Sequence, residues 1–520
     1  MSSRLFAASF IGLSALLVLG ARTSHAAAPV NPFIVIGIDG AEWSVIDKLG
    51  SQLPNLQALK ARGAWGKLAT DYGANSPVVW TTVATGMNND VHGITNFNVT
   101  TDTGSAPVSS TMRKVPAIWN MVSRENKKVM LLGWWGSYPA ESVNGIVISD
   151  HASKKDPNRV SPPEFEAAYA AEIKTIDRSI FPKDEDSGGE DRIVAHYLQK
   201  GATQNFDLIV GYLHGTDLVS HKYWKYWQPD AFTGVDAVRL AASKDLIPAK
   251  YRAMDTVLGK VVAAAPKNTN FLVISDHGFG PLKEEFVKIS LDLDEVFVKL
   301  GLEVRTGAGV DFAKSKVYNH ETAGFQMVKM VRYSLAGREK GGAVAEADKA
   351  KVRAELEAQL KKVTWEGGQP VFRVKDPGSQ QKEKGADLVV EVLPTGVSPS
   401  VKIDGVATSA PIKGITDHSG GHGWEPPGIF IAAGPDINPK ADLAGLRIHD
   451  ITPTVLYGMG LPIAKDFAGK AWTGLYTSTF QAAHPTRVID SWGKSGATKA
   501  TTSDADKAML EQLRELGYIE

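Results

Sequence analysis

Along the chain, short and nearly unbroken apolar runs alternate with longer stretches in which apolar residues recur every three or four positions. FIVIGIDG (33–40), KKVMLLGWW (127–135), FDLIVGYLHG (206–215) and FLVISDHGFG (271–280) are of the first kind. Their length, β-branched content and polar, glycine-containing ends predict strands buried on both faces. LPNLQALKARG (53–63) and PAKYRAMDTVLGKVVAAA (248–265) are of the second kind and predict amphipathic helices. Alternation of the two implies an α/β fold, a mostly parallel sheet sandwiched by helices. In such a sheet the functional site lies beyond the carboxyl ends of the strands. Asp39, Asp217 and Asp276 each stand at or just past such an end.

This first part of the core spans 29–305, after which the pattern changes. Residues 306–411 are rich in lysine, glycine and glutamate, with one helical pattern, ADKAKVRAELEAQLKKV (347–363), and short strand-like pieces such as ADLVVEVL (386–393). That stretch is expected to form an inserted α+β cap. The core pattern resumes over 412–475, with the strand GIFIAAGP (428–435) and the helix HDITPTVLYGMG (449–460), which carries proline in its first turn. A polar tail, 476–520, is expected to end in a helix over AMLEQLRELGYIE.

At the other end, Arg4 precedes the apolar run LFAASFIGLSALLVLG and the small-residue stretch ARTSHAAAPV. This is the layout of a signal peptide, 1–26, cleaved after Ala26, and it predicts export to a periplasm or beyond. No later segment is long and apolar enough to cross a bilayer, so no anchor is expected after cleavage. Across 520 residues the acidic and basic side chains balance to zero net charge, which gives no global attraction to a nucleic-acid polymer or an anionic membrane. An anionic substrate must therefore be held by a local site. The absence of cysteine excludes disulfides, thiolate metal sites and a cysteine nucleophile. Oligomeric state is not written in the sequence.

Candidate chemistry gathers in five places. Asp39 follows the first strand in IGIDG; Asp217 and His221 in TDLVSH are spaced i, i+4, which puts both on one face of a helical turn. Asp276 and His277 are adjacent in ISDHGFG, and His422 lies in the glycine-rich stretch DHSGGHGWEPPG. Taken singly, each has an ordinary structural reading: a cap, a surface hydrogen bond, a turn. Together they fall where this fold class places its site, and mixed Asp and His ligands suit zinc or another borderline divalent ion. The fifth is NSPVVWTTVATGMNNDVHGI (75–94), where Ser76 would open a buried helix whose N-terminus favours an anion.

In this order, IDG, SP with TG and HGI, D-x-x-x-H, DHG and a late GGH, the chain resembles the alkaline phosphatase superfamily. It is most similar to the type I phosphodiesterase/nucleotide pyrophosphatase branch and its phosphohydrolase and phosphomutase relatives. The likeness covers nearly the whole chain after the signal peptide and extends to HDITPTVLYGMGLPIAKDFAGKAW (449–472). It implies two divalent ions, zinc first and manganese as the other suitable metal. Asp217, His221 and His422 match the ligands of one; Asp39, Asp276, His277 and the Ser76 oxygen match those of the other. It further implies that Ser76 is the nucleophile, passing through a covalent phosphoseryl intermediate on a small phosphoester substrate.

The match departs from the family at named positions. Many nucleotide pyrophosphatases use threonine where this chain has Ser76 followed by Pro77. The family's phosphoryl-binding asparagine falls, by counting, on Phe97; Asn96 beside it is taken as the substrate contact. Arg113 and Lys114 are candidate anion contacts whose plainer reading is a solvated surface pair. His92 is read as ordering a helix end, and His214 as orienting a metal ligand. His418 is the alternative to His422. Trp134, Trp135, Trp224 and Trp227 are read mainly as packing. The competing functions are a phosphomonoesterase, a phosphomutase, a C–P bond hydrolase and a metal-free binding protein; the sulfatase setting C/S-x-P-x-R is not present at Ser76.

Overall fold

In the computed structural model, residues 29–495 and Leu510 are described, apart from 71–74, 102–103, 178, 180, 182–188, 308, 322–327, 379–381, 383–384, 394–399, 410 and 423–425. The expected signal peptide and all of the expected terminal helix except Leu510 lie outside the described residues. Eight strands form the central sheet: β1 Phe33–Ile38, β2 Ala64–Leu68, β3 Val129–Leu132, β4 Gly145–Ile148, β5 Val160–Ser161, β6 Leu208–Leu213, β7 Asn270–Ile274 and β8 Gly428–Ala433. Their spatial order is β2-β8-β7-β1-β6-β3-β4-β5. The five central strands β7, β1, β6, β3 and β4 run parallel, with Phe33 opposite both Leu208 and Asn270. The strands β2, β8 and β5 pair antiparallel at the margins. The apolar runs are strands because both faces are covered. In β1, Phe33 and Val35 enter one core while Ile34, Ile36 and Ile38 enter the other. Each of these burials stabilises the fold by about 1.5–3 kcal/mol.

The helices Ser76–Thr85, Ile118–Arg124 and Ile451–Gly458 cover one face. Pro54–Arg62, Glu190–Ala202, Gly215–Trp227 and Leu246–Ala264 cover the other. Periodicity explains their fit: Leu246–Ala264 buries Ile247, Tyr251, Met254, Leu258 and Val261, three or four positions apart. Pro54 occupies the first turn of its helix, where its missing N–H has no intrahelical partner to lose.

The cap leaves and re-enters through a two-stranded antiparallel arm. Gly280–Leu291 runs out, Ile412–Gly421 runs back, and Gly280 pairs with Gly421 at its base. The cap has its own core, which joins Leu291, Leu293, Val296 and Phe297 to Leu356, Trp365, Val390 and Ile403. The expected boundary at 306 is thus too late for this unit. The apolar helix Leu293–Lys299 resembles core in composition but packs in the cap, and 412–421 belongs to the arm. Among the described residues, no helix is long and apolar enough to cross a membrane.

Candidate metal centre and nucleophile

The parallel strands aim their carboxyl ends at one edge, and the candidate ligands collect there. Asp39 continues β1, its N–H donating to Leu213 O at 2.9 Å. Asp276 and His277 follow β7, and Asp217 lies in the first turn of the helix after β6. Because β8 runs antiparallel, its N-terminal end reaches this same edge and carries His422 with it. Two groups result, Asp217, His221 and His422, and Asp39, Asp276 and His277, with the ligand atoms in each within 4.8 Å of one another. The two groups adjoin: the His277 and His422 rings stack with centroids 3.7 Å apart.

Hydrogen bonds fix the imidazoles. His277 Nδ1 lies 2.9 Å from Gly278 O and His221 Nδ1 lies 3.0 Å from Gly420 O. A carbonyl only accepts, so both Nδ1 atoms carry the proton and Nε2 is left as a lone-pair donor. His277 Nε2 then faces Asp39 Oδ1 and Asp276 Oδ2, each at 3.4 Å, and His221 Nε2 faces Asp217 Oδ1 at 3.4 Å. Other oxygens hold the carboxylates in place. Asp39 Oδ2 accepts from Trp80 Nε1 at 3.1 Å and from the Tyr212 hydroxyl, and Asp276 Oδ1 accepts from Gly40 N at 3.3 Å. The Tyr212 hydroxyl in turn accepts from Trp135 Nε1 at 2.7 Å.

A divalent ion fits this arrangement on two grounds. Asp39 Oδ1, Asp276 Oδ2 and His277 Nε2 are fully buried without a hydrogen-bond partner, which in a dry interior is costly unless a ligand satisfies them. The electrostatics agree. Burial, then repulsion from Asp217, raises the Asp39 carboxyl; burial, then Asp39, raises Asp276 well above the carboxylate range. Burial pushes His277 down, but Asp276, Asp39 and Asp217 outweigh it and bring it to about 9. Burial also opposes ionisation of Asp217, and His221 overcomes it to hold that carboxyl low. The cluster is short of positive charge. Asp and His ligands without thiolate suit zinc or manganese.

Ser76 opens the helix Ser76–Thr85 and is itself buried. The Asn75 carbonyl ahead of it accepts from Val78 N and Val79 N, at 2.9 and 3.0 Å. Trp80, one turn further on the same helix face, donates to Asp39. That bond ties the serine helix to the cluster. Asn96 adjoins the helix start: its Oδ1 accepts from Asn75 Nδ2 at 3.0 Å and from Phe97 N at 2.9 Å. Phe97 packs edge-on against Trp135, with centroids 5.7 Å apart.

Other residues separate from the cluster. His418 stacks on the His221 ring at 4.9 Å but lies outside both ligand groups, whereas His422 joins one. Arg113 is neither an anion contact nor a solvated side chain. It is buried, with Nη2 at 2.7 Å from both oxygens of Glu141. His92 orders the end of its short helix by accepting Ile94 N at Nδ1 and donating from Nε2 to Thr82. His214 lies 3.8 Å from Asp217 Oδ2. Trp134 and Trp224 are core residues. Sequence reasoning missed Tyr212 and Trp80, hidden in runs read as apolar. Their signal was a polar atom inside a fully buried element, which must find a partner.

The model of the type I phosphodiesterase/nucleotide pyrophosphatase family matches residues 33–403. No protein of curated function matches the sequence. Among solved structures, the chain is similar to human ectonucleotide pyrophosphatase/phosphodiesterase 5, at 13% identity and TM-score 0.47 over 86% of this chain and 100% of that one. The murine counterpart gives 14% identity and TM-score 0.46 over the same shares. Phosphonoacetate hydrolase from Sinorhizobium meliloti 1021, in complex with phosphonoformate, gives 15% and 0.46 over 83% of this chain and 95% of that one.

Proposed function

The chain belongs to the type I phosphodiesterase/nucleotide pyrophosphatase family of the alkaline phosphatase superfamily, and on that premise we propose that it is an exported two-metal phosphodiesterase acting through a phosphoseryl intermediate on Ser76. Membership makes it a phosphoric ester hydrolase. The observation that carries the finer reading is the pair of adjoining Asp/His groups, one of them with three buried atoms that have no hydrogen-bond partner. Asp217, His221 and His422 would hold one ion, and Asp39, Asp276, His277 and the Ser76 oxygen the other. When bound, two such ions would supply Lewis acidity to the attacking and leaving oxygens.

The chain's own groups do the rest. The Ser76 hydroxyl oxygen attacks phosphorus, the P–O bond to the leaving alcohol or nucleotide breaks, the serine proton ends on the departing oxygen, and Ser76 carries the phosphoryl group. Water then attacks the same phosphorus, the bond to Ser76 Oγ breaks, and the serine oxygen is reprotonated. The positive end of the Ser76–Thr85 helix favours the anionic group throughout. Asn96, beside the helix start, is the proposed contact to a phosphoryl oxygen. Phe97 and Trp135 beside it are buried and pack edge-on in the core. The apolar segment after Arg4 is the proposed export signal.

The test is a paired rate comparison on zinc-loaded protein, an aryl phosphodiester against the matching aryl phosphomonoester. The diester is expected to be turned over faster. A monoester preference would overturn the phosphodiesterase reading in favour of a phosphatase or mutase.

A further inference from the structure

The helix Gly215–Trp227 presents Asp217 and His221 from its first two turns, but its own leading residue, His214, supplies no side-chain cap. The cap comes from a residue 23 positions upstream. Asp191, in the first turn of Glu190–Ala202, accepts from His214 N at 2.8 Å through Oδ1 and from Gly215 N at 3.0 Å through Oδ2. Behind it lies Lys250 of the helix Leu246–Ala264, its Nζ 3.7 Å from Asp191 Oδ2 and 4.7 Å from the centre of the Phe181 ring. Both charged side chains are buried. The contact is tight enough to dictate glycine at 215: a Cβ there would lie 2.4 Å from both Asp191 Oδ2 and Lys250 Nζ.

A buried carboxylate at this place does two things. It satisfies helix-start amides that lack an intrahelical acceptor and sets a negative charge against the positive helix end. Alone, it would be a desolvated charge close to Asp217, itself an anion. Lys250 balances it, so the first turn can carry Asp217 without two uncompensated carboxylates. The three helices thereby meet at one point, two residues before a proposed ligand.

We infer that Asp191 and Lys250 are positioning residues for the Asp217–His221–His422 metal site, an inference that rests on the two-metal reading above. They set the pitch of the helix that aims Asp217 and His221, and neither touches the ion or the substrate.

Cobalt(II) titration of the full, metal-stripped protein, followed by ligand-field absorption, tests this. His221→Ala and His277→Ala supply the spectra of protein lacking one site or the other. Wild-type protein that binds no cobalt would sink the two-metal reading itself. If two ions bind, Asp191→Asn is expected to weaken the site that His221→Ala removes by about 10–100-fold, the range for residues that orient ligands, and to leave the other unchanged. The paired change Asp191→Asn with Lys250→Met is expected to melt higher than Lys250→Met alone while keeping the weakened site. A folded Asp191→Asn protein with unchanged affinity at that site overturns the inference. So does equal weakening at both sites, which would mean general loosening rather than positioning.

Discussion

The Tyr212 hydroxyl donates to Asp39 Oδ2, the same oxygen that receives the Trp80 indole, and so leaves Asp39 Oδ1 turned toward His277. Two donors on one oxygen decide which face of the carboxylate is presented to an ion. Tyr212→Phe removes one of them and leaves Trp135 Nε1 without its acceptor. The expected result is about 1–3 kcal/mol of lost stability and about 10–100-fold weaker zinc binding. Thermal melting of the metal-free protein and zinc competition against a chelator measure the two separately.

Ser76→Ala is expected to abolish turnover of an aryl phosphodiester while zinc content stays near two ions per chain. Ser76 is the first residue of its helix and Asn75 supplies the backbone turn, so the fold does not depend on the hydroxyl. Residual rates close to those of the wild type would remove Ser76 from the role of nucleophile.

His422 and His418 sit four residues apart at the end of one strand, but only His422 joins a ligand group. His422→Ala should bind one zinc fewer than the wild type, and His418→Ala should bind the full complement. Elemental analysis of the two purified variants settles the assignment, and the reverse result would exchange the two residues.

In the cap, burial, followed by repulsion from Asp294, lifts Glu303 to about 8, despite Arg305 Nη1 at 2.9 Å. An acid whose folded pKa lies above its unfolded one favours the native state only while protonated, and stability drains away as pH rises from about 4.5 toward 8. Glu303→Gln cannot ionise. It is expected to flatten this part of the pH–stability curve and to melt higher than the wild type at pH 8, read by calorimetry at several pH values.

Much of this was legible in advance because it depends on local rules. The strand that ends at Asp39 is an apolar run with a polar stop, and the i, i+4 spacing of Asp217 and His221 survives intact as one helix face. What stayed hidden depends on long-range partners. Arg113 looked solvated because its partner, Glu141, stands 28 residues away, and Tyr212 looked like packing because Asp39 is 173 residues distant. The cap boundary was misplaced for a related reason. Leu293–Lys299 has core-like composition, and only the fold decides which core it enters.

The arm that carries the cap behaves like a ruler laid between the two half-sites. Its outgoing strand starts three residues after His277 and its returning strand stops one residue before His422. Side chains alternate faces along a strand, so inserting a single residue between Gly414 and His418, where the pairing is regular, would shift it by one and turn the other side of the chain toward the ligand groups. Cap sequences can therefore diverge freely in length beyond Leu291 and Ile412, where the strands part. Below that point the strands lead directly into the two ligand groups. Exchanging caps between relatives at the Leu291–Ile412 pair should transfer substrate preference as a module, with both ligand sets left in register.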